Sequence, residues 1–130
     1  MIVVDASAVV ELLLNPPAWA AFALRLARDG ETLHAPHLLD LEVAQVLRRH
    51  VRARHLNPRR GREALDDLAD FPLTRYPHYP FLLRVWELKD NLTAYDAAYV
   101  ALAEALDAPL VTRDAALASA GGHHAQVEII

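Results

Sequence analysis

Apolar positions along this chain follow two patterns. Ile2-Val3-Val4 and Leu110-Val111-Thr112 are short unbroken runs that read as strands buried on both faces. Between them, apolar residues recur at helical spacing. The predicted helices cover residues 8–14, 18–28, 37–55, 58–70, 80–90, 93–106 and 115–120. Further strands are expected at 32–35, 71–76 and 127–130. Breakers separate these elements: Asn15-Pro16-Pro17, Asp29-Gly30, Pro36, Asn57-Pro58, Asp107-Ala108-Pro109 and Gly121-Gly122. Helix 37–55 is apolar over most of its circumference. Trp19, Phe22, Phe81 and Trp86 sit at helical spacing and read as core or interface residues. Strands alternating with helices imply parallel pairing through right-handed crossovers, an α/β fold with a three-layer α/β/α sandwich.

Composition narrows this picture only slightly. The 130 residues contain no cysteine, which excludes disulfides and thiolate metal sites and fits a cytoplasmic protein. One domain covering 1–130 is expected, since no linker or repeat interrupts the pattern. No basic-then-apolar leader and no run of about 18 apolar residues is present, so neither export nor a membrane partner is expected. The net charge of −4 argues against a protein that coats nucleic acid non-specifically. The charge is uneven, however: residues 48–62 hold seven arginines and no acid. Arg59–Glu63 and Arg62–Asp66 have the i, i+4 spacing of local helix pairs.

Four carboxylates stand out. Asp5 and Asp114 each follow a buried strand and precede a helix, where a carboxylate caps free backbone N–H groups. In open α/β sheets that strand edge is also where ligands bind. Asp96 fits the reciprocal position of a capping box opened by Thr93. Glu42 resists a structural explanation, because Leu38, Leu39 and Val46 surround it at i−4, i−3 and i+4. A carboxylate on a core-facing stripe needs a partner. Asp40 lies about 160° around the helix from Glu42 and cannot share a site with it.

If the four acids converge, they repel. Two like charges about 4 Å apart cost about 4 kcal/mol at an effective dielectric of about 20. A divalent cation relieves that repulsion, and oxygen-only donors select a hard ion, Mg2+ or Mn2+.

The strand ending in Asp5-Ala6-Ser7, Glu42 near the start of the third helix, the segment from Thr93 to Ala103, and Leu110-Val111-Thr112-Arg113-Asp114-Ala115-Ala116-Leu117 together resemble a PIN domain, and within that family the VapC-type toxins of bacterial toxin–antitoxin pairs. The resemblance implies a parallel sheet of order 3-2-1-4-5 and a metal-dependent endoribonuclease that leaves 5′-phosphate ends. It also implies an RNA substrate, a cognate antitoxin and a homodimer. The family's four acids match Asp5, Glu42, Asp96 and Asp114. Asp5, Asp96 and Asp114 would hold the metal, and Glu42 would complete the site or orient the nucleophile. Ser7 and Thr112 match small polar positions that support the acids. Some members carry a further acid where this chain has Ala116. Arg48, Arg49 and Arg113 are the candidate substrate contacts. Two other readings share these residues: an RNA-processing PIN nuclease without an antitoxin, and a non-catalytic PIN module that only binds a partner. A phosphoaspartyl protein also places Asp after its first strand. Phosphatases of that type want a second acid two residues on, where this chain has Ser7.

Overall fold

The computed structural model describes residues 1–130. In chain order the elements are β1 (Ile2–Val4), α1 (Ala6–Leu14), α2 (Pro16–Asp29), β2 (Leu33–Pro36), α3 (Leu38–Arg52), α4 (Pro58–Ala69), β3 (Leu73–Tyr76), a 3₁₀ turn (Tyr79–Phe81), α5 (Leu82–Glu87), α6 (Ala94–Leu106), β4 (Leu110–Thr112), α7 (Ala115–Ser119) and β5 (Val127–Ile129). The strands form one parallel sheet of order β3-β2-β1-β4-β5, the order expected.

Handedness then divides the helices. The steps β1→β2 and β2→β3 run one way across the sheet, and β3→β4 and β4→β5 run the other. Right-handed crossovers therefore put α1–α4 on one face and α5–α7 on the opposite one. α1 packs on α2, α3 and α4, while α5 packs on α6. The order in which strands are added reverses between β1 and β4, so a crevice opens beyond their C-terminal ends.

The centre of the sheet is the driest part. Ile2, Val3 and Val4 are buried, and every residue from Ala97 to Ala103 of α6 is buried above them. Each such Val or Ile stabilises the fold by about 1.5–3 kcal/mol relative to exposure. Tyr99 is the largest fully buried side chain and sits in this layer.

Several element boundaries move, each for a local reason. α1 begins at Ala6, because Asp5 caps it. α2 begins at Pro16, because a helix's first position needs no N–H and Asn15 caps it by accepting from Ala18 N. β2 includes Pro36, which lies beyond the reach of β1 and is in register with Tyr76 of β3 alone. α3 ends at Arg52, and Arg54 takes a left-handed φ of 60°. The expected helix 80–90 shrinks to the 3₁₀ turn and α5. Beyond Glu87 the backbone tightens, with Lys89 N donating to Trp86 O and Asn91 N to Leu88 O.

One expectation about an apolar face is corrected. α3 buries only the stripe Leu39, Val43 and Leu47, and Leu41 is exposed. Trp86, expected in the core or at an interface, lies outside the core of this chain: it is 67% exposed, with the Lys89 ammonium 5.2 Å from its ring centroid. Trp19 does pack inward, its ring 4.8 Å from that of Phe71. No single helix is long and apolar enough to cross a membrane.

Candidate active site

Asp5 and Asp114 are placed by the two strands that flank the crevice. Asp5 Oδ1 accepts from Ala8 N at 3.0 Å and from the Ser7 hydroxyl at 2.7 Å. Its Oδ2 accepts from the Thr112 hydroxyl, so β4 reaches across to hold the carboxylate that ends β1. Asp5 is buried despite its charge, and these three donors replace water around it. Asp114 caps α7 by accepting from Ala116 N at 2.8 Å. The capping roles expected for both acids are therefore real, and each carboxylate keeps lone pairs free.

Ser7 and Thr112 form a matched pair. Each hydroxyl has one proton and gives it to one oxygen of Asp5. Each then accepts a backbone N–H from the turn after β4. Arg113 N donates to Ser7 Oγ at 2.9 Å and Asp114 N to Thr112 Oγ1 at 2.9 Å. The pair thus fixes both carboxylate-bearing turns in one frame.

Asp96 and Glu42 come from helices on opposite faces of the sheet. Thr93 caps α6 and accepts from Asp96 N at 3.2 Å, forming that half of the expected capping box. Burial pushes the Asp96 carboxyl above the usual carboxylate range, and the charges of Asp114 and Asp5 add to the shift. Glu42 Oε1 accepts from the Tyr99 phenol at 2.5 Å. Burial raises the Glu42 carboxyl too; the Tyr99 bond opposes this, and the charges of Asp96 and Asp5 reinforce it. Burial and the Glu42 bond hold Tyr99 far above the phenol range, so it remains an O–H donor.

All four acids line one cleft of about 500 Å³, together with Ser7, Glu11, Gln45, Arg49, His50, Tyr99 and Arg113. Four elements from both faces of the sheet therefore contribute carboxylates to one place. The donor set is oxygen-only, and the repulsion felt by Asp96 and Glu42 is the kind a hard divalent cation relieves. As they stand, no three of these side chains close on a common point as direct ligands. Mg2+ does not require three, since it keeps several waters and is commonly held by one or two carboxylates. The residues present fit such an ion.

The candidate basic contacts divide. Arg49 and Arg113 line the cleft, with the Arg113 side chain paired to Glu11. Arg48 does not; it borders a separate depression between α3 and α4 with Arg52 and Arg62. Further along the arginine run, Arg59 pairs with Glu63 at 3.3 Å and Arg62 with Asp66 at 3.4 Å. Arg60 donates to Leu13 O at 2.6 Å. Asp40 faces away from the cleft, in a two-pronged pair with Arg75 at 2.8 and 2.9 Å.

Sequence reasoning overlooked four lining residues: Glu11, Gln45, His50 and Tyr99. Three had a readable signal. Gln45, Arg49 and His50 follow Glu42 at i+3, i+7 and i+8, on one face of α3, and Tyr99 follows Asp96 at i+3. Glu11 had none.

Comparison with known proteins identifies the family and the fold. The PIN domain family model matches residues 2–122. Ribonuclease VapC12 of Mycobacterium tuberculosis is 44% identical over 130 residues, covering 100% of this chain and 99% of that protein. The crystal structure of PAE2754 from Pyrobaculum aerophilum superposes with a TM-score of 0.69 at 26% identity, covering 97% of this chain and 81% of that one. VapBC2 from Rickettsia felis, solved bound to a DNA fragment from their promoter, matches in fold with a TM-score of 0.69 at 15% identity, over 99% of this chain and 98% of that one. With the family model spanning residues 2–122 and a VapC relative 44% identical over the full length, this chain belongs to the PIN domain family, among its VapC ribonuclease toxins.

Proposed function

We propose that this chain is an Mg2+-dependent endoribonuclease, with Mn2+ able to substitute, and that Asp5, Asp96 and Asp114 hold the ion directly or through water. The observation that carries this reading is the convergence of four carboxylates from β1, α3, α6 and β4 on one cleft walled by Arg49 and Arg113. The ion, when bound, supplies an acidified water and positive charge for the phosphoryl oxygens and the departing 3′ oxygen.

The chain's own residues do the rest. Asp5 is the fixed corner, because Ser7, Ala8 and Thr112 leave its carboxylate one orientation. Asp114 sits in the same frame through Thr112. Asp96 brings a third carboxylate from α6. Glu42 faces the attacking water and takes up its proton, or orients it for in-line attack. Arg49 and Arg113 meet phosphates that the acidic cleft would otherwise repel, and Arg113 exchanges Glu11 for a phosphate as RNA arrives. The products carry 5′-phosphates. As a member of the VapC toxins, the chain is held in check by a cognate antitoxin protein lying across the acidic cleft.

The test is cleavage of RNA by the purified protein. Cutting is expected with Mg2+ or Mn2+, with EDTA abolishing it and Asp96→Asn reducing it by orders of magnitude. Cutting that survives chelation, or is indifferent to Asp96→Asn, would overturn the assignment. Growth arrest on expression, relieved by Asp5→Ala, tests the toxin role in cells.

A further inference from the structure

Glu42 is anchored differently from Asp5 and Asp114. Asp5 and Asp114 each accept from a backbone N–H a few residues along the chain, and Asp5 accepts from the Ser7 and Thr112 hydroxyls as well. Glu42 has one hydrogen-bond partner, and it belongs to a different helix: the phenol of Tyr99, 57 residues away. An unanchored glutamate on a helix face samples several rotamers, and fixing it costs up to about 2 kcal/mol of side-chain entropy. Tyr99 can supply that order because it cannot move itself. It is 1% exposed, packed in the layer of α6 that lies on β1 and β2. Its single proton is committed to Oε1 in a short charge-assisted bond, which leaves Oε2 as the carboxylate oxygen with no protein partner.

We propose that Tyr99 is a positioning residue that fixes Glu42 across the cleft, so that Glu42 serves the attacking water while metal affinity rests on Asp5, Asp96 and Asp114. The inference rests on the metal-dependent nuclease reading above. It gives the buried tyrosine of α6 a role in turnover beyond filling the core, and it separates Glu42 from the three aspartates.

The experiment compares Tyr99→Phe, Glu42→Ala, the double variant and Asp96→Asn, all in the full chain. RNA cleavage gives kcat and KM, and calorimetric titration with Mn2+ alone gives metal affinity without turnover. Tyr99→Phe keeps the ring and removes one oxygen. It should lower kcat by about 10–100-fold, the usual effect of losing a residue that orients a site ligand, with KM and Mn2+ affinity within about twofold of wild type. In the Glu42→Ala background it should cost nothing further, because both changes remove one function. Asp96→Asn should lose Mn2+ binding. If Tyr99→Phe does not fold, Glu42→Asp breaks the same link by shortening the side chain, and it should lower kcat with Mn2+ affinity retained. Unchanged kcat in the link-breaking variant overturns the proposal. So do additive losses in the double variant, or Mn2+ binding lost as fully as in Asp96→Asn. A wild type that neither binds Mn2+ nor cleaves RNA overturns the nuclease reading, and this proposal with it.

Discussion

The Thr112 hydroxyl donates to Asp5 Oδ2 and accepts the Asp114 N–H, so one side chain joins the carboxylate that ends β1 to the turn that follows β4. Thr112 is fully buried, and neither bond has water to replace it. Thr112→Val preserves the shape and deletes both bonds. A destabilisation of about 1–3 kcal/mol is expected for the groups left unsatisfied, with Thr112→Ser close to wild type. Urea unfolding followed by circular dichroism measures it, and a Val variant as stable as wild type would refute the bridging role.

The raised carboxyls of Asp96 and Glu42 give a signed pH dependence. Above the unfolded value of about 4, the folded protein binds more protons than the unfolded chain, so these groups make stability fall as pH rises. Their contribution is most favourable below the unfolded value and is lost through the raised folded value. Glu104 and Glu128, held low by bonds from Arg84 and Arg25, act in the opposite sense, so the effect is read by difference. In EDTA, Asp96→Asn should melt higher than wild type at neutral pH, with the gap closing towards pH 4. Adding Mg2+ should raise the wild-type melting temperature and leave that of the variant unmoved. A gap that widens on acidification would contradict the sign.

Arg49 and Arg48 are neighbours in sequence but line different depressions. Arg49→Ala should raise KM for RNA and flatten the salt dependence of binding by about 0.7 in log–log slope, the contribution of one phosphate contact on a single strand. Arg48→Ala should do neither. Filter binding at several salt concentrations distinguishes them, and equal effects would show that lining the cleft does not set Arg49 apart from Arg48.

The N-terminus of α3 is capped from outside its own sequence. His37 makes no side-chain cap, and Leu38 N donates to His78 Nε2 at 2.8 Å. His78→Ala should cost about 1 kcal/mol, the usual value of a cap, and a few degrees of melting temperature. Because α3 carries Glu42, kcat should fall with it, and Asp40→Ala, which breaks the pair tying the first turn of α3 to Arg75 of β3, should act in the same direction. Thermal melts and initial rates on both variants check this.

Much of the fold was legible because its signals are local. Buried strands are unbroken apolar runs, and Asp5, Thr93 and Asp114 sit where helices begin, so capping chemistry marked element boundaries together with the acids Asp5, Asp114 and, through the box opened by Thr93, Asp96. Glu42 stood out because a charge on a helix's apolar face needs a partner. Boundaries were less legible where the deciding bond was distant, as with Pro36, tolerated only because β1 does not reach it.

By itself, the sequence determined the alternation of strand and helix, and hence the parallel sheet and the four acids available to its edge. Those properties depend on side-chain period, capping and chain direction, all local. Tertiary structure alone decided which groups answer those acids: Tyr99 for Glu42, Thr112 for Asp5, Arg75 for Asp40 and His78 for the start of α3. It also turned Arg49 towards the cleft and Arg48 away from it. The physical reason is that each of these bonds joins residues far apart in the chain, at distances that only the packing of helices on the sheet brings within about 3 Å.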